Sequence, residues 1–176
     1  RSRPLRVLCQ GKQAPARGTE HAIRALAHCR RLSVPVALTI VGAGGDLVAL
    51  QEMAGGLAMT DHVRFVDSTV STAGLLNLLA DHDVLLVTNL VPEFDRQILL
   101  AMARGLAIVG YENTATDRLL ESHEAGVVVP LENILLLAQA LIDLQQNRRK
   151  LRQLVENGHK LAGNMTLEAV HRRRAE

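Results

Sequence analysis

Six short runs of apolar, mostly β-branched residues punctuate the chain, and each is followed by a stretch with helical spacing. The runs are Leu5–Cys9, Val36–Val41, Val63–Val66, Val84–Thr88, Ala107–Val109 and Val127–Val129. They are continuously apolar rather than alternating, which is the pattern of strands covered on both faces. Helical patterns fall between them at Thr19–Arg31, Leu47–Ala58, Thr72–Ala80, Phe94–Arg104 and Thr116–Ser122. Longer ones follow at Asn133–Gln145, Arg148–Ala162 and Leu167–Arg173. Strands that alternate with helices are joined by right-handed crossovers, and these build a parallel sheet. The expectation is a doubly wound α/β domain of about six strands with extra C-terminal helices. With 176 residues the chain has the length of one domain, and no linker, internal repeat or low-complexity segment divides it.

Composition narrows the function. Apolar residues make up 48% and charged residues 22%, enough apolar surface to offset the entropy of ordering a chain. No apolar run approaches the ~18 residues of a membrane span, and no signal peptide is visible at the N-terminus. The net charge is only +2. Arginines cluster at the ends as Arg1, Arg3 and Arg6 and as Arg172, Arg173 and Arg174; a solvated helix end explains the second group without a partner. Phe65, Phe94 and Tyr111 are the only aromatic residues, too few for the stacking platforms of single-strand nucleic-acid binders. No nucleic-acid partner is expected. Cys9 and Cys29 form no disulfide framework, which points to a reducing, cytoplasmic setting. No Cys/His cluster has zinc spacing, and His21 and His28 on one helix lack a third ligand. No metal site is expected.

In a doubly wound sheet, ligands bind at the carboxyl ends of the strands, where helix N-termini gather. Those ends are Gln10–Gly18, Gly42–Asp46, Asp67–Ser71, Asn89–Glu93 and Gly110–Thr116. In the first, Lys12 and Arg17 stand five apart between Gly11 and Gly18. Two cations beside backbone donors suit a diphosphate; a solvated polar loop accounts for them too. In the second, Gly42 and Gly44 resemble part of a dinucleotide fingerprint. The third glycine position is Leu47, however, and the loop follows the second strand rather than the first. A tight turn is the alternative. In the fourth, Pro92, Glu93 and Asp95 fit the first turn of a helix and its dipole; equally, Glu93 or Asp95 faces a ligand. A nucleophile elbow, a phosphate loop of the GxxxxGK[ST] type and a phospho-acceptor Asp after the first strand are all absent.

The order of these features resembles the C-terminal half of the glycogen-synthase-like, group 1 glycosyltransferases of the GT-B fold. The resemblance covers Arg6 to about Ala162. The family's first loop, G-R-x4-K-G, is matched by Gly11-Lys12, four residues and Arg17-Gly18, with the two basic types exchanged. Its L-x-I-V-G-x-G is matched by Leu38 to Gly44, its V-x-F by Val63 to Phe65, and its D-v-x-v strand by Asp83 to Val87. The A-M-A-x-G core of its longest motif is Ala101-Met102-Ala103-Arg104-Gly105. Gly126, Val129 and Pro130 resemble its closing motif.

The departure lies in the family's pair of glutamates eight positions apart. Anchored on Ala101-Met102-Ala103, the second falls at Leu100 and the first at Pro92, with Glu93 one residue late. In the family the second acid holds the donor ribose and the first lies against the donor sugar. The family's G-F-G after the first acid reads Glu93-Phe94-Asp95 here, and its Gly-Gly after the fifth strand aligns with Thr114-Ala115.

The resemblance implies a Rossmann-like domain, residues 1–176, that binds a nucleotide-diphosphate sugar and no separate cofactor. Gly11, Lys12, Arg17, Gly42, Gly44, Phe94 and Asp95 would hold the donor, and Glu93 would be the sugar-facing, catalytic acid. Lys12 and Arg17 would neutralise the departing diphosphate without a metal. The acceptor would sit on an N-terminal domain of the same protein, so the domain alone should not turn over. Peripheral membrane association would come through the full-length protein. The other reading is a non-catalytic binding or assembly module with a degenerate donor site.

Overall fold

The computed structural model describes residues 3–10, 18–42, 44–67, 71–91, 96–112 and 117–165. Strands β1 (Leu5–Gln10), β2 (Val36–Val41), β3 (Val63–Val66), β4 (Val84–Val87), β5 (Ala107–Tyr111) and β6 (Gly126–Val129) alternate with helices. These are α1 (Thr19–Arg31), α2 (Leu47–Gly56), α3 (Thr72–Ala80), α4 (Arg96–Ala103) and α5 (Asp117–Ser122), followed by α6 (Ile134–Gln146) and α7 (Arg148–Asn164). All five strand pairings are parallel, in the order β3-β2-β1-β4-β5-β6. The Rossmann-like, doubly wound α/β architecture read from the sequence is the one observed. The pattern assigned to Leu167–Arg173 lies outside the described residues.

Each strand sends alternate side chains to opposite faces, and each face has its own core. Leu5, Val7, Cys9, Val84, Leu86, Ala107 and Val109 meet α1, α2 and α6 on one side. Leu8, Leu85 and Ile108 meet α4, α5 and the far end of α7 on the other. Burial on both faces is why the runs are apolar without alternation. Cys9 and Cys29 are buried in the first core and form no disulfide. Burial pushes the Cys29 thiol up to about 12, so it is unreactive near neutral pH.

Helix starts follow local chemistry. Ser71 Oγ accepts from the Gly74 amide at 3.1 Å, Asn133 Oδ1 from Leu136 at 3.0 Å and Asn147 Oδ1 from Lys150 at 3.0 Å. These caps satisfy amides that the helix cannot. Strand ends were less legible. β5 runs through Gly110 and Tyr111, which pair with Val128 and Val129, so the loop after it begins at Glu112 and not at Gly110. β1 likewise runs to Gln10, opposite Val41. A ladder of backbone hydrogen bonds continues past the last aliphatic side chain, because the ladder itself does not require one. Thr88, by contrast, lies beyond the end of β4.

At the amino ends of the strands, Asp83 ties the chain's first described segment to β4 and α7. It accepts from Arg3 at 2.7 Å and from the Arg6 amide at 2.9 Å, and Arg148 stands 3.9 Å away. Burial alone would raise the Asp83 carboxyl. The Arg6 amide, the Arg3 hydrogen bond and the charges of Arg3 and Arg6 outweigh burial and hold it below the usual carboxylate range. Arg148 is shifted down, first by burial and then by the like charges of Arg3 and Arg6, with Asp83 acting the other way.

A carboxylate depressed in the folded state stabilises the fold above its unfolded pKa, and that contribution fades as pH falls through the folded value. The Tm of the chain should therefore drop below about pH 4. Asp83→Asn should lower Tm at pH 7 and remove part of that acid dependence. A Tm–pH profile of the variant parallel to that of the parent chain would contradict this assignment.

Candidate functional site

The strand order reverses between β2-β1 and β4-β5, so the crevice of the sheet opens where β1 and β4 lie side by side. Gly18 precedes α1 at this point. It adopts a left-handed conformation, φ 55° and ψ 32°, and its carbonyl accepts from the His21 amide at 2.9 Å. A Cβ at Gly18 would sit 2.7 Å from the Thr88 carbonyl oxygen and 3.1 Å from the Leu90 side chain. Only glycine fits: the backbone conformation disfavours other residues, and the start of α1 touches the segment after β4. The contact seats the positive end of α1 in the crevice.

Polar groups gather around that contact. Thr19, Thr88, Asn89 and Tyr111 are all buried. The His21 Nδ1 atom and the Tyr111 hydroxyl are 3.0 Å apart, with the rings edge to face at 5.7 Å. Glu20 Oε1 lies 3.7 Å from His21 Nε2. Burial pushes the Tyr111 hydroxyl up to about 12, with the charges of Glu132 and Glu20 adding to it. Tyr111 therefore keeps its proton at physiological pH, and its hydroxyl orients the His21 ring. Thus α1 lies against the segment after β4 and is tied to β5 at the carboxyl edge.

Gly42 and Gly44 stand at the same edge, after β2, with φ of 76° and 57°. The Gly42 amide donates to the Val66 carbonyl at 2.9 Å, so it is used within the fold. Gly44 opens a 3-10 turn, Gly44–Asp46, that leads into α2. The left-handed conformation accounts for glycine at both positions. Gly11, Lys12, Arg17, Glu93, Phe94 and Asp95 lie outside the described residues, as do Pro92, Thr114 and Ala115. Leu100 is on α4 and packs, half-buried, against the second core. The aliphatic side chain at this position is thus part of the packing.

No sequence motif marks His21, Tyr111 or Thr88 as members of this polar cluster. A histidine three residues into a helix carries no signal of its own, and Tyr111 falls in the carboxyl-end segment Gly110–Thr116 without a motif around it. The one available clue was that Gly18 preceded a helix start without a side-chain cap.

The sequence model of the family described as "Glycosyl transferases group 1" matches residues 4–147. The chain belongs to this family. Its Rossmann-like fold is accordingly that of a glycogen-synthase-like GT-B glycosyltransferase domain. Among curated relatives, the chain is 34% identical over 134 residues to a phosphatidyl-myo-inositol mannosyltransferase of Mycobacterium leprae (strain TN). That alignment covers 76% of this chain and 35% of the relative. It is 43% identical over 63 residues to a GDP-mannose-dependent alpha-(1-6)-phosphatidylinositol monomannoside mannosyltransferase of Mycolicibacterium smegmatis (strain ATCC 700084 / mc(2)155), covering 36% of this chain and 16% of the relative. The chain thus spans about a third of the length of the first of these relatives. Among solved structures, Anabaena Alr3699/HepE in complex with UDP superposes with a TM-score of 0.85 at 22% identity, covering 98% of this chain and 48% of that one. At that identity the superposition speaks for the fold.

The contact between Gly18 and Thr88 gives a direct check. Gly18→Ala should destabilise the domain by about 2–3 kcal/mol, from left-handed strain and the clash with the carbonyl. That corresponds to a loss of about 5–10 °C in Tm. Tyr111→Phe should cost about 1 kcal/mol through the lost hydrogen bond to His21. Differential scanning calorimetry of the two variants measures both; an unchanged Tm for Gly18→Ala would refute the close approach.

Proposed function

We propose that this chain is the donor-binding domain of a group 1 glycosyltransferase. It would take a nucleotide-diphosphate sugar and work with an acceptor-binding, N-terminal domain of the same protein. The observation that carries the reading is the family match over residues 4–147 on a fold whose α1 N-terminus is seated in the crevice by Gly18. The lengths agree with it, since this chain covers 35% of a mannosyltransferase relative and 48% of HepE. A nucleotide-sugar donor is supported by the UDP bound to HepE and by the GDP-mannose dependence of the second relative.

In this reading the diphosphate lies at the start of α1. Backbone N–H groups and the helix dipole meet its negative charge there. Lys12 and Arg17, on the segment leading into Gly18, supply the countercharge as the leaving group departs. Two cations in that role make a metal ion unnecessary. Gly11, Gly42 and Gly44 let the backbone approach, Phe94 and Asp95 border the sugar, and Glu93 faces it as the reacting acid. Transfer needs the acceptor domain, so the 176-residue chain would bind donor without turning it over. A cytoplasmic setting suits this reading, and any peripheral attachment to a membrane falls to the full-length protein. No helix among the described residues is long and apolar enough to cross a membrane.

A second reading is favoured by Leu100. The family resemblance puts the ribose-holding acid there, and Leu100 is an aliphatic residue engaged in the core. A ribose hydroxyl facing it would lose hydrogen bonds worth roughly 1–3 kcal/mol. The domain would then be a non-catalytic, glycosyltransferase-like binding or assembly module.

Thermal melts with UDP and with GDP separate the two. A donor site filled at about 100 times Kd stabilises by about 2.7 kcal/mol, a rise of about 5–10 °C in Tm. Lys12→Ala combined with Arg17→Ala should abolish the rise without lowering the unliganded Tm. Absence of any shift with either nucleotide at millimolar concentration would overturn the donor-binding reading in favour of the second.

A further inference from the structure

The amino ends of the strands, opposite the crevice, carry a charge arrangement that donor binding does not use. Asp83 is shared by three guanidiniums: Arg3 at 2.7 Å, Arg6 at 3.6 Å and Arg148 at 3.9 Å. Beside it opens a cavity of about 520 Å3, lined by Arg3, Asp83, Arg148, Arg152 and Glu156 together with the apolar Leu151 and Val155. That volume is within the range of small-molecule sites. Four guanidiniums thus stand against two carboxylates, and the oxygens of Asp83 are already engaged by Arg3 and by the Arg6 amide. Arg152, four residues before Glu156, makes no hydrogen bond or ion pair with it or with any other described residue.

The surrounding sequence strengthens the positive field. Helix α7 begins Arg148-Arg149-Lys150, which sets three cations at the positive end of its own dipole. That placement opposes the local electrostatic preference. Arg148 is also held in place, since it donates to the Arg3 carbonyl at 2.8 Å and bonds Gln145. A guanidinium so anchored loses little freedom on meeting a ligand. Natural chains depart from local preferences chiefly where a site requires it.

We infer that this cavity binds a phosphate-bearing anion, held by Arg3, Arg148 and Arg152. Guanidinium forks match phosphate oxygens in pairs, and a phosphate monoester carries about the charge needed to balance the surplus. The apolar lining of Leu151 and Val155 accommodates the carbon part of an ester. The same chemistry is offered by free phosphate esters and by the headgroup of an anionic lipid. A ligand here leaves the Gly18 end of the sheet untouched, so this inference does not depend on the donor-binding reading.

The test follows the arginine Nε–Hε resonances of the 176-residue chain during titration with inorganic phosphate. In parallel, the chain is floated with vesicles of phosphatidylcholine, with and without phosphatidic acid. Resonances of Arg3, Arg148 and Arg152 should move together along one saturating curve, while those of Arg24 and Arg64 stay in place. Arg152→Gln, which removes no hydrogen bond or ion pair among the described residues, should weaken phosphate binding by about tenfold. Saturation by phosphate without flotation identifies a soluble phosphate ligand. Flotation that needs phosphatidic acid and is lost in Arg152→Gln identifies a lipid headgroup. If phosphate moves all arginines equally without saturating and no flotation occurs, the cavity is not an anion site and the inference is overturned.

Discussion

The position of β1 governs this molecule. It is bonded on one side to β2 and on the other to β4, so the chain winds away from it in both directions. In a doubly wound sheet a reversal of winding of this kind marks the ligand crevice. The close approach of Gly18 to the Thr88 carbonyl then sets α1 into that crevice. Donor binding rests on this placement, because a helix N-terminus offers an anion its dipole and its amides only if it points into accessible space.

The same winding separates the two ends of the sheet chemically. The carboxyl end brings together a left-handed glycine, a histidine held by a tyrosine hydroxyl, and buried threonine and asparagine side chains. The amino end brings together arginines around Asp83. Each end is tied by side chains from segments far apart in sequence. Asp83 joins the N-terminal segment to β4 and α7, and the His21–Tyr111 pair joins α1 to β5. The two-faced apolar core supplies bulk stability, and these polar ties determine how the helices sit on it.

Much of the fold was legible in the sequence because the signal was long and redundant. Six apolar runs with helical patterns between them allow few architectures, and the observed elements fall where those runs do. Boundaries were less legible. Gly110 and Tyr111 belong to β5 through backbone pairing with Val128 and Val129, which no hydropathy pattern records. The site was legible only where residue type alone carries the physics. Gly18 could be read as a loop glycine, but its contact with Thr88 depends on which strands are neighbours. The pairing of His21 with Tyr111 spans 90 positions and exists only once β1 and β5 flank β4. Leu100 was read as the place of a missing acid, and its packing on the second core gives a physical reason for a leucine there.

The central claim is that the carboxyl edge around Gly18 receives a nucleotide diphosphate, and amide chemical shifts test it most directly. In a titration of the isotopically labelled chain with UDP and with GDP, the amides of Gly18, Thr19, Glu20 and His21 should shift along one saturating curve. Any shift at Arg3, Asp83 and Arg148, at the other end of the sheet, should follow a separate curve. Shifts confined to the amino end, or none in either region with either nucleotide, would contradict the account.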